Sequence, residues 1–206
     1  MSEDKSGNTS NACGRGRDQP APSACLSIRR ILKTTPAIAI VLVLPVLFVG
    51  VGLAAQDKST LQVPNGLAFS EFEGYDTWQD VAVSETEGSV KAILANSAMI
   101  NAYKEGIPGN GKLFPEGSKV VKIEWVKKKN EVSPYFVEVP GALKSLSFIV
   151  KDSKRFPDTH GWAFAQFDYD AASDTLRPSV TGVECGYSCH SRVASQDYIF
   201  TEYPRR

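Results

Sequence analysis

Histidine and methionine are scarce in this 206-residue sequence, with two of each. One methionine is Met1, so Met99, His160 and His190 are the only internal residues of these types. A closed structural zinc site takes four nitrogen or sulfur ligands. After residue 55 the chain offers two cysteines and two histidines, with His160 far from the other three. Excess charge of either sign is also absent, since 23 Lys and Arg balance 23 Asp and Glu. Without a basic surplus there is no electrostatic footprint for nucleic acid, which is therefore not an expected partner. No internal repeat is visible, which argues against a solenoid or propeller.

The sequence does contain a twenty-residue run without a charge, PAIAIVLVLPVLFVGVGLAA, over residues 36–55. As a helix this run reaches across a hydrocarbon core of ~30 Å. Arg29, Arg30 and Lys33 precede it and Ala54 and Ala55 close it, the pattern of a secretory signal or an N-terminal anchor with its leading arm in the cytoplasm. The expected organisation is a cytoplasmic arm (1–33), a signal sequence or membrane anchor (34–55) and one exported domain (56–206). That domain is expected in the periplasm, soluble after cleavage near Ala55 or tethered to the inner membrane. Cys13 and Cys25 lie before the run, so neither is a lipidated cysteine at a cleavage site. With the six cations and three acids of the leader set aside, the exported part keeps 17 and 20, a net charge of −3. It also holds 19 of the 20 aromatic residues, enough material for a single core in ~150 residues.

Export leaves two cysteines in the domain, and they stand in Cys185-Gly186-Tyr187-Ser188-Cys189-His190. This is a C-x-x-x-C-H segment, one residue longer between the thiols than the usual haem-attachment motif. Two thiols forming thioethers to the haem vinyl groups hold the macrocycle at its edge while the next histidine turns onto the iron. The additional residue is expected to form a small bulge at Gly186, where the backbone is freest. A disulfide between the two cysteines and a metal site are the alternatives; His190, directly after the second thiol, favours haem. An electron-carrying haem takes a second axial ligand, commonly Met or His. Met99 follows Asn96, a candidate helix N-cap, and shares a helical face with Ile100 and Tyr103, so it reads as core packing. His160 sits in a turn before a strand. The expected iron is thus five-coordinate, with an open face for a small ligand.

The rest of the domain reads mostly as strands. Residues 119–126 alternate, with Val121, Ile123 and Trp125 on one face and Val120, Lys122, Glu124 and Val126 on the other. Residues 146–150 and 161–169 are further strands rich in aromatic and β-branched side chains, and the turn-like residues 151–158 between them imply antiparallel pairing. Residues 106–111 read as a loop, and Lys127-Lys128-Lys129 as a solvated turn. The expected class is α+β, mainly antiparallel β-sheet with a few short helices, in a single exported domain.

Phe114-Pro115-Glu116-Gly117-Ser118, Val120-Val121-Lys122, Val150 through Phe156, Gly161-Trp162-Ala163-Phe164, the haem segment and Asp197 through Tyr203 follow one another as in the cytochrome P-460 family. The sequence resembles that family from about residue 70 to the C-terminus, departing from it in the C-x-x-x-C-H spacing. The resemblance implies a homodimer with one covalently bound haem c, attached through Cys185 and Cys189, with His190 as axial iron ligand and an open distal face. It also implies hydroxylamine oxidation to nitrous oxide or nitric oxide, with electrons passing to an accepting cytochrome. In the enzymatic members a lysine is bonded to a meso carbon of the porphyrin; counting from Gly117, the matching residue is Lys122. Read from its residues alone, Lys122 is a solvated strand lysine, on a face that its neighbours Val120 and Val126 suggest is partly covered. Glu124 and Lys91 are candidates for proton transfer beside it. Other relatives lack the lysine bond and bind nitric oxide or carbon monoxide, so the alternatives are a non-catalytic gas-binding haem protein and a simple electron-transfer cytochrome.

Overall fold

The computed structural model describes residues 55–180 and 182–206. The arm 1–33 and the apolar leader up to Ala54 lie outside the described residues. Among the described residues no helix is long and apolar enough to cross a membrane.

Three short 3-10 helices, Lys58–Thr60, Phe69–Phe72 and Tyr75–Thr77, open the domain. Strands β1 (Gln79–Thr86) and β2 (Ser89–Ala95) follow, then helix α1 (Ser97–Lys104), and then β3 (Lys119–Lys129), β4 (Glu138–Lys151), β5 (Trp162–Asp170) and β6 (Thr175–Pro178). Helix α2 (Gly182–His190) runs into a 3-10 helix, Ser191–Gln196, before an extended C-terminal segment. The six strands form one antiparallel sheet in the order β1-β2-β3-β4-β5-β6, a meander in which every strand pairs with its sequence neighbour. The class is α+β with a mainly antiparallel sheet and a few short helices, as the sequence implies.

Both faces of this sheet are covered, which explains why β3 carries apolar residues at adjacent positions. Val121 packs with Leu146, Phe148 and Phe167 under Val63, Leu67, Phe69 and Phe72 of the N-terminal segment. Phe72 stacks on Phe148 with ring centroids 4.3 Å apart. Val120 points the other way, to Val81, Ile93, Trp162 and Phe164, beneath α1 and the C-terminal residues Tyr198 and Ile199. The α1 start is as expected: Asn96 Oδ1 accepts from the Met99 N–H at 3.2 Å, and Met99, Ile100 and Tyr103 are buried. The same oxygen accepts from the Lys119 N–H, tying the helix to β3.

The motifs around residues 115 and 152 meet in space. Gly117, at φ +79°, turns the chain so that its N–H reaches the Lys151 carbonyl, and Glu116 accepts from the Ser153 N–H and Oγ–H. One expectation is corrected. Lys127-Lys128-Lys129 is strand rather than turn, paired with Glu138, Val139 and Pro140, and Lys127 forms an ion pair of 2.8 Å with Glu138. A ribbon solvated on both sides tolerates three lysines in succession, and cross-strand pairing, with one opposite charge, holds them extended.

Candidate functional site

The strand register determines what shares a surface. On the face opposite Phe148, Ile93, Lys122, Ser147 and Gln166 form one cross-strand row, and Ala95, Val120, Ile149 and Phe164 form the next. Helix α2 packs against β5 over these rows, and Ala82 to Ser84 of β1 and Phe200 and Thr201 of the C-terminal segment close the sides. The cavity they line is about 560 Å³, within the range of small-molecule and cofactor sites. Lys122, Cys185, Cys189 and His190 all line it. The structure therefore brings all four expected site residues to one cavity, although Lys122 lies more than 60 positions before the other three.

The C-x-x-x-C-H segment lies wholly in α2, without the expected bulge. A regular helix absorbs the additional residue because positions four apart stand on one face, one turn above the other. Gly186 has a different role from the one expected. A Cβ there would sit 2.7 Å from Phe164 Cβ and 2.8 Å from its Cγ, so glycine is what lets α2 approach β5 closely. Cys189 is free and exposed, so no disulfide joins it to Cys185. Among the described residues no group of three or more His, Cys, Asp and Glu side chains converges as a metal site.

His190 ends α2 between the rings of Phe164 and Phe200, at centroid distances of 5.0 and 4.8 Å. Its Nδ1 lies 2.6 Å from the Tyr198 carbonyl oxygen. A carbonyl only accepts, so Nδ1 carries the proton and Nε2 keeps its lone pair for a metal. Burial pushes the His190 pKa below its ordinary value against the opposing pull of the Tyr198 bond, and the Lys122 charge lowers it further. The neutral, ligating imidazole is the favoured form.

Lys122 is half-buried, with Nζ 4.0 Å from Glu124 Oε2. Burial holds its pKa below the usual lysine value, although Glu124 opposes this. Glu124, itself buried, accepts from Ser89 Oγ at 2.8 Å and from Lys144 Nζ at 3.0 Å. Those bonds and the Lys122 charge overcome its desolvation and hold its carboxyl below the usual range. Glu124 and Lys91 do not line the cavity; the Lys91 amine donates to Thr86 Oγ1 at 3.1 Å. Met99 is fully buried within α1, and His160 is an exposed residue at φ +56°, and neither lines the cavity. The polar wall residues Ser147 and Gln166 and the Tyr198 carbonyl were not anticipated. Alternation in β4 and β5 could have put Ser147 and Gln166 on one face, whereas a backbone acceptor has no side-chain signature.

The residues fit haem: a half-buried imidazole with Nε2 available, two cysteine positions a helical turn apart, and apolar walls from Ile93, Val120, Ile149 and Phe164. A sheet-floored pocket with this donor set defines a haem protein. The sequence matches the family described as Cytochrome P460 over residues 72–201, and the chain belongs to that family of haem proteins. No curated protein matches the chain.

Proposed function

We propose that this protein is an exported mono-haem c-type cytochrome that oxidises hydroxylamine to nitrous oxide or nitric oxide, with Lys122 bonded to the porphyrin edge. The observation that carries this reading is that Lys122 lines the same cavity as Cys185, Cys189 and His190. Bound haem supplies a redox-active iron with an open coordination position. His190 holds the iron through Nε2, and the thiols of Cys185 and Cys189 take the vinyl groups as thioethers. The depressed pKa of Lys122 raises the share of neutral, nucleophilic amine. Neither Met99 nor His160 lines the cavity, which supports an open distal face over a six-coordinate electron carrier. Substrate oxidation releases protons with the electrons. On the wall, Ser147 and Gln166 lead toward exposed Asp168, which accepts from Gln166 Nε2 at 2.7 Å. The electrons pass to an accepting cytochrome, and the working form is a periplasmic homodimer.

A second reading, a non-catalytic binder of nitric oxide or carbon monoxide, is favoured by one feature: among the described residues no carboxylate lines the cavity. The test is a Lys122→Ala variant of haem-loaded protein from an exporting host. The expected outcome is a changed haem spectrum, loss of the lysine adduct from the intact mass, and loss of hydroxylamine oxidation with haem retained. A spectrum and mass difference explained by the substitution alone would sink the cross-link, and gas binding without turnover by the wild type would establish the second reading.

A further inference from the structure

The C-terminal segment contains two consecutive non-glycine residues in the left-handed region, Asp197 at φ +48° and Tyr198 at φ +64°. Left-handed residues other than glycine normally occur singly, and such backbone persists where its surroundings over-determine it. Here the surroundings are specific. Asp197 is buried, and its Oδ1 accepts from Lys151 Nζ at 2.9 Å and from Trp162 Nε1 at 3.0 Å. Its Oδ2 accepts from the Phe114 N–H at 2.8 Å. Lys151 is equally buried, at the end of β4; its amine also donates to the His160 carbonyl and lies 4.7 Å from the Trp162 ring centroid. A buried ion pair is weak evidence of stabilisation, because desolvation offsets its attraction. This one is joined to backbone with a definite output: the next carbonyl, that of Tyr198, receives the His190 Nδ1–H.

We propose that the Lys151–Asp197 ion pair is a positioning device for His190, clamping Asp197–Tyr198 in its left-handed turn so that the Tyr198 carbonyl fixes the tautomer and direction of the imidazole. The clamp touches neither the cavity nor any ligand in it. Lys151 and Asp197 are positioning residues, acting through a backbone acceptor that strengthens the ligand character of Nε2. The proposal deepens the reading of His190 as the iron ligand and rests on it.

The test is Asp197→Asn in the full chain, read in two ways. In apo-protein, nitrogen chemical shifts of His190 report the tautomer without requiring haem. In haem-loaded ferrous protein, resonance Raman reports the iron–histidine stretching frequency. The expected result is loss of the single Nδ1–H form and a downshifted stretch. Adding Tyr198→Gly to Asp197→Asn restores both, since glycine adopts the turn unaided while the carbonyl remains. If Asp197→Asn does not fold, Lys151→Gln, which keeps the carboxylate and its Trp162 and Phe114 bonds, carries the same expectation. A variant that melts earlier but keeps the wild-type tautomer and stretch overturns the proposal and leaves the pair a purely structural one. Failure of wild type to take up haem would instead overturn the ligand reading while leaving the apo tautomer comparison intact.

Discussion

At the scale of single residues, burial biases two groups of the site toward their neutral forms. His190 is neutral and Lys122 is shifted toward neutrality, in both cases chiefly through burial. For His190 this has a pH consequence. Its folded pKa lies below the unfolded value of 6.5, so the unfolded chain binds the proton more readily. The stability associated with a neutral His190 is present above pH 6.5 and is lost as pH falls through the folded pKa. Apo-protein denatured with urea between pH 7.5 and 5 is expected to lose stability, and His190→Gln to flatten that part of the profile. A profile of the same slope in the variant would assign the dependence to other groups. The histidine was legible from its place after Cys189; its tautomer was not, because the Tyr198 carbonyl that selects it belongs to a turn eight residues away.

At the scale of elements, α2 is the piece on which the site turns. Its two cysteines share a face only because four-residue spacing matches the helical repeat. Deleting Ser188, an exposed position, would restore the common C-x-x-C-H spacing but rotate Cys189 and His190 by about 100° relative to Cys185. The expected outcome is loss of the His190–Tyr198 bond and of stoichiometric haem attachment, checked by intact mass. Undiminished attachment would show that the segment does not work as a helix. Gly186→Ala tests the same element from its packing side. The new methyl overlaps Phe164 at its Cβ and Cγ, which cannot swing away as a side-chain tip can. A loss of about 1–3 kcal/mol in urea denaturation is expected from overpacking. The bulge expected at Gly186 is absent because the segment folds as a continuous helix, whose close approach to β5 sequence spacing does not reveal.

At the scale of the molecule, the sheet separates two cores with different duties. One, around Phe72, Phe148 and Phe167, lies under the N-terminal segment and away from α2; the other passes into the cavity wall through Val120 and Phe164. Phe72 is fully buried on the first of these. Phe72→Ala is expected to cost about 3–5 kcal/mol of stability, measured by chemical denaturation, through lost burial and the cavity left behind. Below its new melting temperature the haem spectrum is expected to match wild type, because the sheet lies between the substitution and His190. A variant equally stable but spectrally altered would show that the two faces are coupled more tightly than this division allows.

The sequence by itself determined what local patterning encodes. Period-two alternation marked the central strands, Asn96 marked the start of α1, and the cysteine pair with its adjacent histidine marked haem chemistry; the ordered motifs pointed to the family. It misread Lys127-Lys128-Lys129, because charge suggests solvent but does not distinguish a turn from an exposed ribbon. What the tertiary structure decided depends on partners distant in the chain. Strand register set Lys122 beside Ser147 and across the cavity from α2, and the meeting of residues 114, 151, 162 and 197 fixed a backbone turn. The Tyr198 carbonyl, present in every residue and therefore invisible in any pattern of side chains, became the hydrogen-bond acceptor for His190 only through that turn.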